Sequence, residues 1–99
     1  MPSDLKQPCV YILASAPSGT LYVGVTSGLA VRVWQHKNDV AEGFTRQYGV
    51  HTLVWFERHE TMPGAIAREK QLKAGSRKRK IALIEQLNPH WQDLYDKIL

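Results

Sequence analysis

Hydrophobic and polar positions alternate in two short stretches near the start of the chain. In residues 9–14, Val10 and Ile12 fall on one parity and Tyr11 and Leu13 on the other. In residues 20–25, Leu21, Val23 and Val25 share one parity and Tyr22 and Gly24 the other. Side chains alternate faces along a strand, so both stretches predict β-structure. The loop between them carries Pro17 and Gly19, which suits a hairpin. If Val10, Ile12, Leu21, Val23 and Val25 pack on one core, both tyrosines point to the opposite face as antiparallel neighbours. Gly24 would then leave open space beside Tyr22.

The period changes after Ser27 and Gly28. Residues 29–40 predict a helix with Leu29, Val33 and Val40 as its apolar stripe. Arg32 and His36, four apart, are adjacent on that helix and border the stripe. Residues 41–49, AEGFTRQYG, predict a loop of basic and aromatic character. Residues 50–57 predict a third strand. Val54 and Phe56 lie on one side of it and Leu53 and Trp55 on the other, so both faces are expected to be covered. Thr61 as N-cap and Pro63 in the first turn open a second helix. Its stripe is Met62, Ala65 and Ile66; Glu69 falls inside that stripe, and Gly75 ends the helix. Ser76 caps the next helix, which carries Ile81, Ile84 and Leu87 and stops at Asn88-Pro89. Asn88 reads most simply as a left-handed C-cap. Residues 90–98 predict a last amphipathic helix with Trp91, Leu94, Tyr95 and Ile98. The order β-β-α-β-α-α-α describes an α+β domain.

Ninety-nine residues point to a single domain, residues 1–99. Charged residues make up 22% and hydrophobic ones 43%, as expected of a globular protein. No apolar run approaches the roughly 20 residues that span a bilayer. The opening MPSDLKQP lacks the apolar segment of a secretory signal, which fits a cytoplasmic protein. The one cysteine, Cys9, excludes an intrachain disulfide and a Cys-based zinc cage. A net charge of +4 suits a polyanionic partner.

Several residues are placed where they could carry chemistry. A carboxylate on an apolar stripe, such as Glu69, has to be paired, hydrogen-bonded or metal-bound. An ion pair with Arg32 or with the neighbours of Arg68 satisfies that as well as a metal does. Arg32 and His36 form either an ordinary helix face or a guanidinium and an imidazole aimed at one phosphate. Tyr11 and Tyr22 suit cross-strand packing, and equally suit holding or deprotonating a water. Arg77-Lys78-Arg79-Lys80 occupies the first turn of a helix, where the macrodipole disfavours cations; phosphate contact would supply a reason. Tyr48 is expected in the core, with stacking on an unpaired base as the alternative. His51, His59 and His90 lack metal-ligand spacing, and there is no P-loop, G-x-G-x-x-G or G-x-S-x-G.

Taken in order, these residues resemble the GIY-YIG nuclease family. Its first triplet corresponds to Cys9-Val10-Tyr11 and its second to Tyr22-Val23-Gly24, with ten residues between the tyrosines. Arg32 and His36 match an arginine and histidine on the family's first helix, Glu69 a glutamate on a later helix, and Asn88 an asparagine near the end of the module. The resemblance spans about residues 8–96 and is nearest to the stand-alone single-domain bacterial branch. Cys9, Val10 and Val23 depart from the signature at backbone and packing positions only.

The resemblance implies a small central three-stranded antiparallel sheet flanked by helices. It implies hydrolysis of DNA phosphodiester bonds, linked to DNA repair or processing, with RNA left open. The expected cofactor is one divalent cation, Mg²⁺ or Mn²⁺, with Glu69 as its only protein carboxylate. Arg32 would neutralise phosphoryl charge, Tyr11 and Tyr22 would flank the attacking water, and His36 would hydrogen-bond a tyrosine or the phosphate. Asn88 would position the site, and Gly24 would keep the approach open. Arg77, Lys78, Arg79 and Lys80, with Lys37 and Arg46, would hold the flanking strand. A protein partner or a homodimer for substrate recognition stays open. The alternatives are a non-catalytic nucleic-acid-binding module and a nuclease subunit active only with a partner.

Overall fold

The computed structural model describes residues 6–40 and 43–99. The two alternating stretches pair as an antiparallel hairpin, β1 (Cys9–Ala14) and β2 (Leu21–Thr26). The third strand, β3 (Thr52–Arg58), pairs antiparallel with β1. The sheet order β2-β1-β3 puts the first strand in the middle. Every residue of β1 is buried, as a central strand covered on both faces requires.

One face carries Val10, Ile12, Ala14 and Val23 against Ala65, Leu72 and Ile84, with Leu21 and Val25 packed alongside. These last come from α3 (Met62–Ala74) and α4 (Arg77–Leu87). The other face carries Cys9, Tyr11, Leu13 and Leu53 against Leu29 and Val33 of α1 (Leu29–Lys37). The tyrosines do leave the aliphatic core, as the alternation requires. Tyr11 enters a second core, and Tyr22 packs half-buried at the margin of that core.

Several sequence expectations change. The first helix stops at Lys37, because the Asn38 side chain bonds the Trp34 carbonyl at 2.8 Å and Asp39 turns left-handed. Val40 is therefore exposed and leaves the stripe. Within the expected loop 41–49, whose residues 41 and 42 lie outside the described ones, Phe44–Tyr48 forms a short helix, α2. In β3 the register slips between Ile12 and Leu13 of its partner, so Trp55 pairs with Ile12 and Leu53 with Leu13. This bulge breaks the alternation: Val54 and Trp55 share one core, while Leu53 and Phe56 join the other. Ile66 and Leu87 are exposed; the inward stripe of α3 runs through Ala65, Glu69 and Leu72.

Residues 90–98 are not an α-helix. Trp91 has a left-handed backbone (φ 55°), and only a 3-10 turn, Tyr95–Lys97, follows. Trp91 packs in the core under α3 and α4, whereas Leu94, Tyr95 and Ile98 pack against the opposite core. The single apolar stripe of an α-helix would serve one core, whereas this segment goes around the sheet edge and delivers side chains to both. In passing it satisfies the outer edge of β3. Leu94 N–H donates to Leu53 O (2.8 Å), and Asp93 accepts from Leu53 N–H (3.2 Å). That edge is thereby capped at Leu53, while β2 forms the other edge of the sheet.

Candidate active site

Tyr11 stands opposite Gly24 in the ladder. A Cβ at Gly24 would lie 2.4 Å from both Cζ and Oη of Tyr11. The bare glycine is thus the seat of the Tyr11 ring, and the space beside it is filled, contrary to the open approach expected from sequence. The ring is 1% exposed. Its hydroxyl lies 3.1 Å from His36 Nε2. Tyr22 completes a three-ring cluster, 6.3 Å from Tyr11 and 5.5 Å from His36 between centroids.

Burial pushes the Tyr11 phenol well above its ordinary pKa, and the neighbouring Tyr22 and Glu69 act in the same direction. The Arg32 guanidinium, a hydrogen-bond donor facing the phenol, opposes them. Arg32 of α1 thus meets this hydroxyl directly, while Glu69 of α3 acts on it through its charge alone. Arg32 is further fixed by Gln35, whose Oε1 accepts from Nη1 at 3.0 Å. Burial, the Arg32 charge and the charge of His51 lower the His36 pKa to about 4, so its imidazole is neutral at pH 7. The other ring nitrogen, Nδ1, lies 2.8 Å from Thr45 Oγ1. Thr45 is buried on α2 and was invisible in the sequence, since nothing in AEGFTRQYG carries a period.

The Glu69 carboxylate is mostly shielded and pairs with Lys73 at 3.4 Å. Neither Arg32 nor the neighbours of Arg68 take that place; the i,i+4 spacing was the signal for Lys73. Lys73, Lys80, Tyr22, Phe44, Leu21 and Val23 line a hollow of about 360 Å³. A second hollow of about 280 Å³ shares Leu21, Val23 and Lys80 and adds Thr20 and Arg77. Together they make a cationic trough beside the edge strand β2, with Tyr22 at one end and Arg77 at the other. Phe44 stacks on Tyr22 and touches Tyr48. Tyr48, expected in the core, is half exposed.

The basic run divides. Arg77 donates to the carbonyls of Ser18 and Gly19 at 2.5 and 2.6 Å and pins the hairpin loop. Lys80 donates to Gly75 O at 2.9 Å, at the C-terminal end of α3, where the helix dipole favours a cation. The placement against the dipole of α4 thus has a local reason in α3. Lys78 and Arg79 are exposed, and Arg79 borders a separate hollow with Arg68 and Gln71. Arg46 is exposed on α2. Lys37 pairs with Asp93 and sits 5.2 Å over the Tyr95 ring, tying α1 to the C-terminal segment. Asn88 is the C-cap of α4, with φ −140° and not left-handed. Its amide donates to Val54 O (3.1 Å) and Gln92 O (2.8 Å), and its Oδ1 accepts from Gln92 N–H (3.0 Å). These bonds clamp the β3 bulge. Among the described residues, no group of three or more His, Cys, Asp or Glu could hold a metal, and no helix is long and apolar enough to cross a membrane.

Residues 7–82 match the GIY-YIG catalytic domain. The chain belongs to the GIY-YIG family. The matched stretch holds Tyr11, Tyr22, Arg32, His36 and Glu69 and ends short of Asn88. A UPF0213 protein of Clostridium perfringens is 37% identical over 75 residues, covering 76% of this chain and 80% of that protein. One from Staphylococcus aureus is 31% identical over 77 residues, covering 78% and 93%. The solution structure of a UPF0213 protein from Bacillus halodurans superposes with a TM-score of 0.55. It is 25% identical and covers 88% of this GIY-YIG chain and 92% of that one.

Proposed function

We propose that this GIY-YIG protein is a divalent-metal-dependent nuclease that cleaves DNA phosphodiester bonds. One observation carries the reading: two phenols, a guanidinium and a neutral imidazole cluster where a cationic trough begins, and a shielded carboxylate is paired with a lysine of that trough. A polyanion lying in that trough brings its backbone against Tyr22. Lys73, Lys80 and Arg77 supply the positioning charge.

The donor set suits a hard cation. A single carboxylate, Glu69, would hold Mg²⁺ or Mn²⁺, ions that keep most of their waters and accept phosphate oxygens as further ligands. When bound, the ion supplies positive charge at the phosphoryl group. Glu69 has to release Lys73 to bind it, and Lys73 is then free to meet phosphate. Arg32 provides the fixed guanidinium that stabilises negative charge as it develops. The two phenols take different tasks. Tyr11 is buried and held protonated, so it positions; Tyr22 lines the trough and meets the attacking water.

The test is incubation with single-stranded, duplex and branched DNA in Mg²⁺ or in EDTA, beside Glu69→Gln and Arg32→Ala. Cleavage should need metal and fall at least ~100-fold in either variant, the scale of losing one electrostatic group. Full-rate cleavage by Glu69→Gln would discard the reading. Salt-sensitive binding without any cleavage would favour a non-catalytic nucleic-acid module.

A further inference from the structure

His36 is 2% exposed, and each of its ring nitrogens faces one hydroxyl: Nε2 faces Tyr11 at 3.1 Å and Nδ1 faces Thr45 at 2.8 Å. A neutral imidazole offers one donor and one acceptor, so only two arrangements satisfy both contacts. Either Thr45 donates to Nδ1 and Nε2–H donates to Tyr11, or Tyr11 donates to Nε2 and Nδ1–H donates to Thr45. Arg32 separates them. Its guanidinium has donors only and faces the Tyr11 oxygen. If Nε2 also donated, the phenol would take two donors and its own hydrogen would lose the one hydrogen-bond acceptor placed within reach, since the Glu69 carboxylate is engaged by Lys73. His36 Nε2 is the acceptor that the structure places on it.

We propose that Thr45 is a positioning residue that holds His36 as the Nδ1–H tautomer and so aims the Tyr11 hydroxyl into Nε2. Thr45 is well placed to do this. Its carbonyl accepts from Gly49 N–H and, at 2.9 Å, from Val50 N–H, where Gly49 turns left-handed (φ 62°). Its branched Cβ restricts χ1. The carbonyl bonds close the end of α2 and fix the backbone of Thr45, and its side-chain bond to His36 ties α2 to α1. Without the Thr45 hydroxyl, a buried Nδ1–H would lose its acceptor. The ring then changes tautomer and turns a donor onto Tyr11, so the phenol hydrogen no longer points at His36 and is redirected within the site. The catalytic consequence rests on the nuclease reading; the tautomer does not.

The experiment is a long-range ¹H–¹⁵N correlation spectrum of the His36 ring in the full chain at pH 7, with cleavage kinetics in Mg²⁺ beside it. Wild type and Thr45→Ser should show Nδ1 protonated and Nε2 bare. The isosteric Thr45→Val should show Nε2 protonated. Its kcat should fall tenfold or more with KM little changed, the scale of a small misplacement at a reacting centre, while Thr45→Ser keeps kcat near wild type. An Nε2–H tautomer in wild type, or a Thr45→Val spectrum identical to wild type, overturns the proposal. A correct tautomer in a protein that cleaves nothing would sustain the role of Thr45 and remove the nuclease reading alone.

Discussion

Replacing Gly24 by alanine adds a single methyl group at the most crowded contact of the candidate site. The new Cβ would sit 2.4 Å from Cζ and Oη of Tyr11 and 2.9 Å from Cε1. Carbon pairs rest at about 3.5–4.0 Å, so the ring must retreat by about 1 Å or more. It has nowhere to go, because Tyr11 is packed among Leu13, Leu29, Val33 and Leu53. Overpacking of this kind costs about 1–3 kcal/mol. A 3.1 Å bond to His36 does not survive a shift of that size, and an unmet buried polar pair costs about 1–3 kcal/mol more. Alanine regains about 0.5–1 kcal/mol over glycine in a strand. The net loss is about 1–5 kcal/mol, or at least ~4 °C in Tm for a domain this small. Thermal unfolding followed by circular dichroism measures it. Gly75→Ala is the control: there the added Cβ would meet Leu72 O at 3.4 Å, an ordinary contact, with φ at −74°. Its Tm should stay level or rise slightly. A Gly24→Ala protein melting with the control would refute the seating of Tyr11 on Gly24.

His36 should contribute acid lability. Its folded pKa of about 4 lies below the ordinary 6.5. Between those values the unfolded chain binds more protons, so stability present above pH 6.5 is lost as pH falls towards 4, by on the order of 3 kcal/mol. Unfolding curves of His36→Gln should lack this component; an unchanged profile would show the ring to be hydrated. Lys80→Ala should lower the slope of log affinity against log salt by about one, and Lys78→Ala, which borders neither hollow of the trough, by clearly less. Equal losses would mean that DNA does not follow the trough. Asn88→Ala strips the amide from Val54 O and Gln92 and should cost about 2 kcal/mol. Cleavage by the protein still folded should remain within a few-fold of wild type at low temperature. A hundredfold loss there would make Asn88 part of the reacting centre.

The order of tyrosines, arginine, histidine and glutamate was legible in the chain because each sits on an element with a clear period. Alternation placed Tyr11 and Tyr22 on one face, and helical spacing put Arg32 beside His36 and Glu69 in the inward stripe of α3. Local chemistry also carried through: Thr61 caps α3 by accepting from Gly64 N–H, and Ser76 caps α4 by accepting from Arg79 N–H. What depended on contacts between distant segments did not show. A bulge in β3 depends on its partner strand. The fate of residues 90–98 depends on a sheet edge that a period of 3.6 does not describe. Thr45 acquires its meaning only when α2 folds against His36, and Lys37 only when Asp93 arrives. Which phenol is buried and which meets the trough was likewise decided by packing. The sequence determines which faces are apolar and where the charges stand along each element. Only the assembled sheet and helices determine what each face is covered by, because burial, and with it the state of every proton at the site, is a property of neighbours far apart in the chain.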